Sequence, residues 1–308
     1  MNITKKFGEW FEITIPKKWE GLTIYAILQD VWHAPKKQIH LMRMEKEVKV
    51  NGEERNWQNP LKMGDKLQLR FFQEEEYGVL PQYIDVEVLY EDEHLIVFNK
   101  PAMMDTHPNT LNQINTLANA AAFHLQTEGE QRRIKHIHRL DRDTSGAVLF
   151  AKHKLAGSLL DKMLEEREIK RTYLALVHGK LKAKKGTIEE PIGRDRHHAT
   201  RRRVSPTGQL AITQFELLET FSRENLSLVK CQLDTGRTHQ IRVHLSHIGH
   251  PIAGDLLYGG KAVFNRQALH AANLLIPHPF TDELIRCQAF HTGEPTLDPF
   301  FQKWINKL

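Results

Sequence analysis

Apolar positions along the chain recur with two periods, and the switches between them outline the elements. Residues 11–15 alternate as a strand would, and Leu22, Ile24, Ile27, Leu28 and Val31 then fall at helical spacing. The break Ala34-Pro35-Lys36-Lys37 precedes a second short helix at 39–44. Residues 48–52, VKVNG, alternate into an Asn-Gly turn, the strongest short hairpin signal, and 62–67 reads as a further turn before a strand. An acidic stretch with Gly and Pro, 73–82, reads as a linker, so the chain divides into a small unit, 1–78, and a large one, 79–308. The large unit is expected to fold from a start near Pro81.

Beyond the linker, 86–90 and 95–98 predict strands around the turn 91–94, and 116–125 is an Ala-rich helix. Residues 147–151 have the length of a buried strand. Leu155, Leu159, Leu160, Met163 and Leu164 share a helix face, with 165–168 facing water. Residues 171–177 form a strand, 186–206 an exposed loop, and 214–220 and 226–234 a hairpin closed by 221–225. After the turn Thr235-Gly236-Arg237, a helix over 239–248 puts Ile241, Leu245 and Ile248 on one face and Arg242 off it.

With 308 residues there is room for one large core and one small one. Hydrophobic residues at 40% and charged ones at 26% are ordinary for a globular chain, and no segment approaches the roughly 18 apolar residues of a membrane span. The first 16 residues lack an apolar secretory stretch, so a cytoplasmic protein without a membrane partner is expected. Cys231 and Cys287, far apart in apolar surroundings, read as core residues. A net charge of +5 leans towards a polyanion, and its distribution says more: 132–142, 180–185 and 194–203 are basic clusters. Each alone reads equally well as a solvated face; together they favour RNA.

The chemistry centres on 136–152, HIHRLDRDTSGAVLFAK, where Asp141 sits in a polar turn just before the buried strand. A carboxylate there either caps local N–H groups or acts, since loops on a rigid scaffold carry catalytic groups. A glycosidase or nucleoside hydrolase using Asp141 and Asp143 as paired carboxylates is one competing class, and it is the less favoured reading. His239, His244, His247 and His250 lack the spacing and the acid of a zinc set, so no metal is expected. A catalytically silent RNA-binding protein is the other competing class.

The string His138-Arg139-Leu140-Asp141 followed by Thr144-Ser145-Gly146 resembles the signature of the RluA/RluD-type pseudouridine synthases. Residues 92–108 resemble that family's first block, with Lys100, Pro101, His107 and Pro108 in register and Met103 where Gly usually stands, so the loop before His107 is expected to differ in shape. LDTGRTHQIRVHLSHIGHPIAGD resembles a later block, and Gly254-Asp255, Tyr258-Gly259, Leu269-His270-Ala271 and His278-Pro279 extend the likeness across 86–290. Residues 1–78 are similar to the alpha-L, or S-four-type, RNA-binding domain, without its leading Arg and Asp around 22–25.

The resemblance implies an α+β pseudouridine synthase fold, a mixed, largely antiparallel sheet with flanking helices plus a small N-terminal α+β RNA-binding domain. It implies a cofactor-free isomerase that turns uridine in ribosomal RNA or tRNA into pseudouridine. Asp141 would be catalytic, adding to C1′ or taking the 2′ proton. Arg242 would pair with it, and Tyr173 would stack on the uracil and serve in removal of the C5 proton. Arg139 would fill the vacated stack, with His138, Lys100 and Leu233 beside the substrate and Arg201, Arg202 and Arg203 on the RNA. A monomer is expected.

Overall fold

The alternating segments assemble into two main sheets in the computed structural model, which describes residues 4–281, 283–291, 294 and 296–308. The N-terminal sheet contains β1 (Thr4–Phe7), β2 (Trp10–Thr14), β3 (Val48–Val50) and β4 (Lys66–Arg70) in the order β1-β2-β4-β3. Between β2 and β3 lie the short helix α1 (Ile24–Ala26), capped by Thr23 and continued by a π turn, and α2 (Lys36–Met44). The Asn-Gly turn corrects the hairpin expectation. Across the turn itself Val50 makes just an isolated bridge to Glu53, while β3 pairs antiparallel with the more distant β4, Val50 opposite Leu67. Asn51 explains this, since its side chain bonds Asp65 and the Lys66 N–H and so ties the turn to the more distant strand.

The large sheet uses β5 (Val88–Glu91), β6 (Leu95–Lys100), β7 (Lys135–His136), β8 (Ser145–Ala151), β9 (Lys170–His178) and β10 (Lys185–Glu189). Outside it, β11 (Ile192–Arg194) and β12 (Arg202–Val204) pair with each other. The segment expected to be an exposed loop is therefore an ordered ladder with Arg194 opposite Arg202. The sheet is completed by β13 (Ile212–Phe221), β14 (Leu226–Leu233), β15 (Leu269–Pro277) and β16 (Leu284–Gln288). Its order is β10-β13-β14-β9-β15-β8-β6-β5, with β16 on β15 and β7 on β8. Among the described strand ladders only β8 with β15 is parallel, and there Gly146 is required: a Cβ on it would lie 2.2 Å from the Ala271 carbonyl oxygen.

Period two decides what each face buries. Ile96, Phe98, Val148 and Phe150 join the core containing α3 (Leu117–Thr127), α5 (Gln240–His247) and α6 (Asp298–Ile305). Leu95, Val97, Leu149 and Ala151 point the other way, into a core shared with α4 (Lys154–Glu165) and the whole N-terminal unit. That second core is a continuous seam. Phe11 and Trp32 pack on Phe280, and Phe71 stacks on His153 at 4.5 Å. The linker is also fixed, with Glu75 N–H on the Gln131 carbonyl and Asn119 Nδ2 on that of Leu80. A chain cut near Pro81 would open this seam, so the expectation of an independent large unit does not fit the packing.

Candidate active site

Asp141 lies in the loop between β7 and β8, and the loop is held from several sides. Thr106 Oγ1 donates to the Leu140 carbonyl and accepts from the Leu140 N–H. Lys100 Nζ donates to the carbonyls of Pro101, Met104 and Arg142 at 2.7–3.1 Å, and Arg266 Nη1 donates to that of Asp143 at 2.9 Å. Gln267 holds the Thr144 hydroxyl, and His270 the Ser145 hydroxyl. A turn closed by Thr144 N–H on the Asp141 carbonyl finishes the clamp, which leaves the carboxylate side chain part-exposed at 20%.

Arg242, on α5, meets that carboxylate. Its Nη1 donates to Asp141 Oδ2 at 2.9 Å, while Nε and Nη2 grip both oxygens of Asp255 at 2.7 and 2.9 Å. A two-point contact fixes the guanidinium plane, so Asp255 aims the hydrogen bond that Asp141 receives. Asp255 enters this position from Gly254, whose left-handed backbone lets the chain pass so near Arg266 that a Cβ would lie 1.9 Å from its carbonyl oxygen. Tyr258 lies over the guanidinium at 4.9 Å. Its hydroxyl accepts the Arg202 N–H at 2.9 Å and bonds His239 Nδ1 at 2.8 Å. With that hydroxyl donating to Nδ1, the ring proton of His239 sits on Nε2, 3.8 Å from the second Asp141 oxygen. Burial pushes the His239 pKa down, which suits the neutral ring. His239 also has φ +59°, a left-handed backbone uncommon outside glycine, at the start of α5.

These groups open into a cleft of about 680 Å³ lined by Asp141, Tyr173, Arg242, His138, Arg139 and Leu233, among others. Tyr173 is buried on β9, and burial pushes its phenol pKa up. Leu233 is half-buried at the end of β14, and Arg139 is exposed.

Three other expectations meet a different environment. Lys100 is fully buried and does not line the cleft, so the expectation that it touches substrate is corrected. Burial pulls its pKa down to about 7, yet its three N–H bonds end on three carbonyls, an arrangement that only the ammonium completes. His138 is buried and kept neutral, pushed down to about 3 by burial, with Nε2 accepting from Leu149 N–H. Arg201 is bound by Asp195 at 2.6 Å, and Arg201, Arg202 and Arg203 lie outside the cleft lining. Within the first basic cluster Arg132 is buried against Glu130 and unavailable to an outside partner. Met103 itself adopts φ +63°, the left-handed conformation a glycine would supply, so the turn persists and the exposed side chain is what changes.

Asp255, His239 and Tyr258 were not assigned roles from the sequence. Asp255 and Tyr258 stood in a block matched only as a string, and their approach to Arg242 depends on the path through Gly254. Among the described residues no cluster of His, Cys, Asp or Glu forms a metal set, and no helix is long and apolar enough to cross a membrane.

A sheet of this topology with a clamped carboxylate–arginine pair in its cleft defines a class, and comparison with known proteins agrees. Residues 94–247 match the family model for RNA pseudouridylate synthase, and 11–67 match the RluD ribosomal pseudouridine synthase N-terminal domain. The chain belongs to the RNA pseudouridine synthases, isomerases that act on RNA uridines, and within them to the RluA/RluD type. An uncharacterized RNA pseudouridine synthase of Bacillus subtilis (strain 168), YhcT, is 48% identical over 283 residues, 92% of this chain and 94% of that one. The ribosomal large subunit pseudouridine synthase D of Haemophilus ducreyi is 37% identical over 73% of each chain. Among solved structures, human RNA pseudouridylate synthase domain containing 1 is similar with a TM-score of 0.57 and 28% identity, over 70% of this chain and 87% of that one.

Proposed function

We propose that the chain converts a uridine of large-subunit ribosomal RNA to pseudouridine, with Asp141 as the catalytic carboxylate. The observation that carries this reading is the Asp141–Arg242–Asp255 set at the cleft: one Asp141 oxygen is held by Arg242, which two bonds to Asp255 immobilise. The cleft is in the size range of small-molecule sites. Isomerisation breaks N1–C1′, turns the uracil and joins C5 to C1′, with no net change in atoms, so this reading requires no cofactor. The oxygen of Asp141 not bonded to Arg242 either adds to C1′ or takes the 2′ proton.

The target base has to leave its stack, at a cost of about a few kcal/mol, and then needs a platform and a replacement. Tyr173 serves as platform and acts in C5 proton removal, Leu233 packs beside the base, and exposed Arg139 enters the vacated space. His138, neutral and buried, shapes the cleft wall. Residues 1–78, with half-exposed Arg202 and exposed Arg203, help hold or select the RNA, while 79–308 carry the chemistry. The chain works as a monomer in the cytoplasm on this reading. Relatives named as large-subunit ribosomal enzymes support ribosomal RNA over tRNA. Carbodiimide-dependent primer extension on total RNA from a deletion strain tests it. A missing stop in large-subunit RNA is expected, and a missing stop confined to tRNA would move the substrate there.

A further inference from the structure

Arg171 stands on β9 two residues before Tyr173, so both side chains leave the same face of the strand and line the same cleft. Its neighbours among the buried cations are fully occupied. Arg242 is bound to two aspartates, and Arg266 to Glu294, three carbonyls, Ser145 and His291. Arg171 is only 7% exposed, yet its Nε has no partner and its Nη2 reaches just the Thr235 carbonyl at 3.4 Å, a weak bond. Among the described residues no carboxylate forms an ion pair with it. Gly236 makes room for it, since a Cβ there would lie 3.0 Å from Nη1. An enclosed guanidinium left this incomplete is unfavourable unless something entering the cleft completes it.

Resting on the function proposed above, we infer that Arg171 is the cation that receives the uracil ring as it detaches, donating to a ring carbonyl. The exposed rim cations Arg139, Arg167 and Arg237 suit phosphodiesters, whereas the flipped base is the part of the nucleotide that enters deepest. Both routes open to Asp141 break N1–C1′ with the bonding pair leaving on the uracil. The negative charge then spreads over N1, O2 and O4. It is discharged when C5 bonds to C1′, the C5 proton departs and N1 ends protonated. A fixed donor at a ring carbonyl stabilises the state in which that charge is greatest.

The test compares wild type, Arg171→Met, Arg171→Lys and Asp141→Asn on a short RNA containing the mapped uridine. Single-turnover conversion is followed by chromatography of nucleosides, with Kd measured separately. Arg171→Met is expected to slow conversion of bound RNA by about 100- to 1,000-fold, as loss of one such donor does elsewhere, with Kd within about threefold. Arg171→Lys should recover part of the rate. Because Met removes an unpaired buried charge, the variant should melt no lower than wild type; a lower melting temperature would mark Arg171 as structural. An unchanged bound-state rate overturns the inference. If the salt slope of binding also drops by about 0.7 to 0.9, Arg171 meets a phosphate instead. A second substrate frees the result from folding effects. Fluorine at C5 makes the leaving uracil a weaker base and leaves no C5 proton to depart, so on 5-fluorouridine RNA loss of the starting nucleoside is followed instead; the wild-type to Arg171→Met ratio of that rate should shrink by about tenfold or more, and an equal ratio rejects the contact. Full turnover by Asp141→Asn overturns the functional reading itself and this inference with it.

Discussion

Beside Asp141 the buried guanidinium of Arg242 faces carboxylates of opposite sign, whereas beneath the N-terminal unit His94 and His153 are buried against each other and against Phe11, Phe71 and Phe280. In the seam, the Ala156 N–H donates to His153 Nδ1, so the ring proton lies on Nε2 and is donated to His94 Nδ1 at 2.9 Å. Burial pushes His94 down to about 3 and His153 well below its ordinary value. Arg242 thus keeps its charge by pairing it. The seam instead keeps its two histidine rings neutral by burying them, with the cations Arg132 and Lys152 nearby opposing their protonation. One region keeps what chemistry uses, and the other keeps what holds the two units together.

The comparison is most exposed at Asp141. Asp141→Asn retains size and polarity but removes the charge that the proposed reaction requires. Turnover in a tritium-release assay on uridine-labelled RNA should vanish while folding and RNA binding persist. Normal release would remove Asp141 from the catalytic role.

Arg242→Ala attacks the same region through stability. It strands two carboxylates, and Asp255 is the worse placed, being 2% exposed with both oxygens on the lost guanidinium. Denaturant melts should show a loss on the order of 3 to 5 kcal/mol, part of it relieved by proton uptake. Adding Asp255→Asn should restore more stability than adding Asp141→Asn, and neither should restore turnover. Equal or absent recovery in these double-mutant cycles would mean that the charges are not coupled as their geometry indicates.

The sequence and the structure agree best where the information is local. Asp141 before a buried strand, the hairpin of β13 and β14, and α5 with Arg242 off its apolar face follow from spacing over a few residues. Lys100 was misread because a cation in a matched block says nothing about the three carbonyls that converge on it from separate segments. Asp255 was missed for a related reason: 13 residues separate it from Arg242, and the left-handed Gly254 brings them together. The Asn-Gly turn was decided by Asp65 and Lys66, more than a dozen residues on, which no local pattern specifies, while the β11–β12 ladder is local but its basic, polar residues give no apolar alternation to mark it.

Acid should weaken the seam through its two buried histidines. An unfolded histidine titrates near 6.5, so between that pH and the depressed folded values the unfolded chain binds protons that the native chain does not. Stability from His94 and His153 is therefore complete above about pH 6.5 and falls as pH decreases, by about 2 kcal/mol per histidine at pH 5. His138 and His270, also buried and neutral, add a background slope. His153→Asn isolates the seam, because asparagine caps α4 without titrating. Urea melts from pH 7 to 5 should show the variant's slope shallower by about 1 kcal/mol per pH unit on average. Identical slopes would mean that the seam histidine takes up protons in the folded chain and the contrast between regions fails.

The smallest effect is expected at the outer edge of the cleft, where the β11–β12 ladder meets it through the Arg202 N–H on Tyr258. Three arginines there do not mean three phosphate contacts. Arg201 is already bound through Nε and Nη2 to Asp195, while Arg203 is exposed and Arg202 half-exposed with no acid paired to it among the described residues. Replacing Arg201, Arg202 and Arg203 by Ala should therefore lower the salt slope of RNA binding by about 1.4 to 1.8, two contacts at about 0.7 to 0.9 each. Arg201→Ala alone should leave the slope nearly unchanged and instead loosen the ladder, since it frees Asp195. A full unit lost from Arg201→Ala would show that RNA displaces Asp195, and the ladder would then be a charge-paired element that rearranges on binding. An unchanged slope in the triple variant would make these arginines a solvated face, confining RNA recognition to the cleft rim and the N-terminal unit.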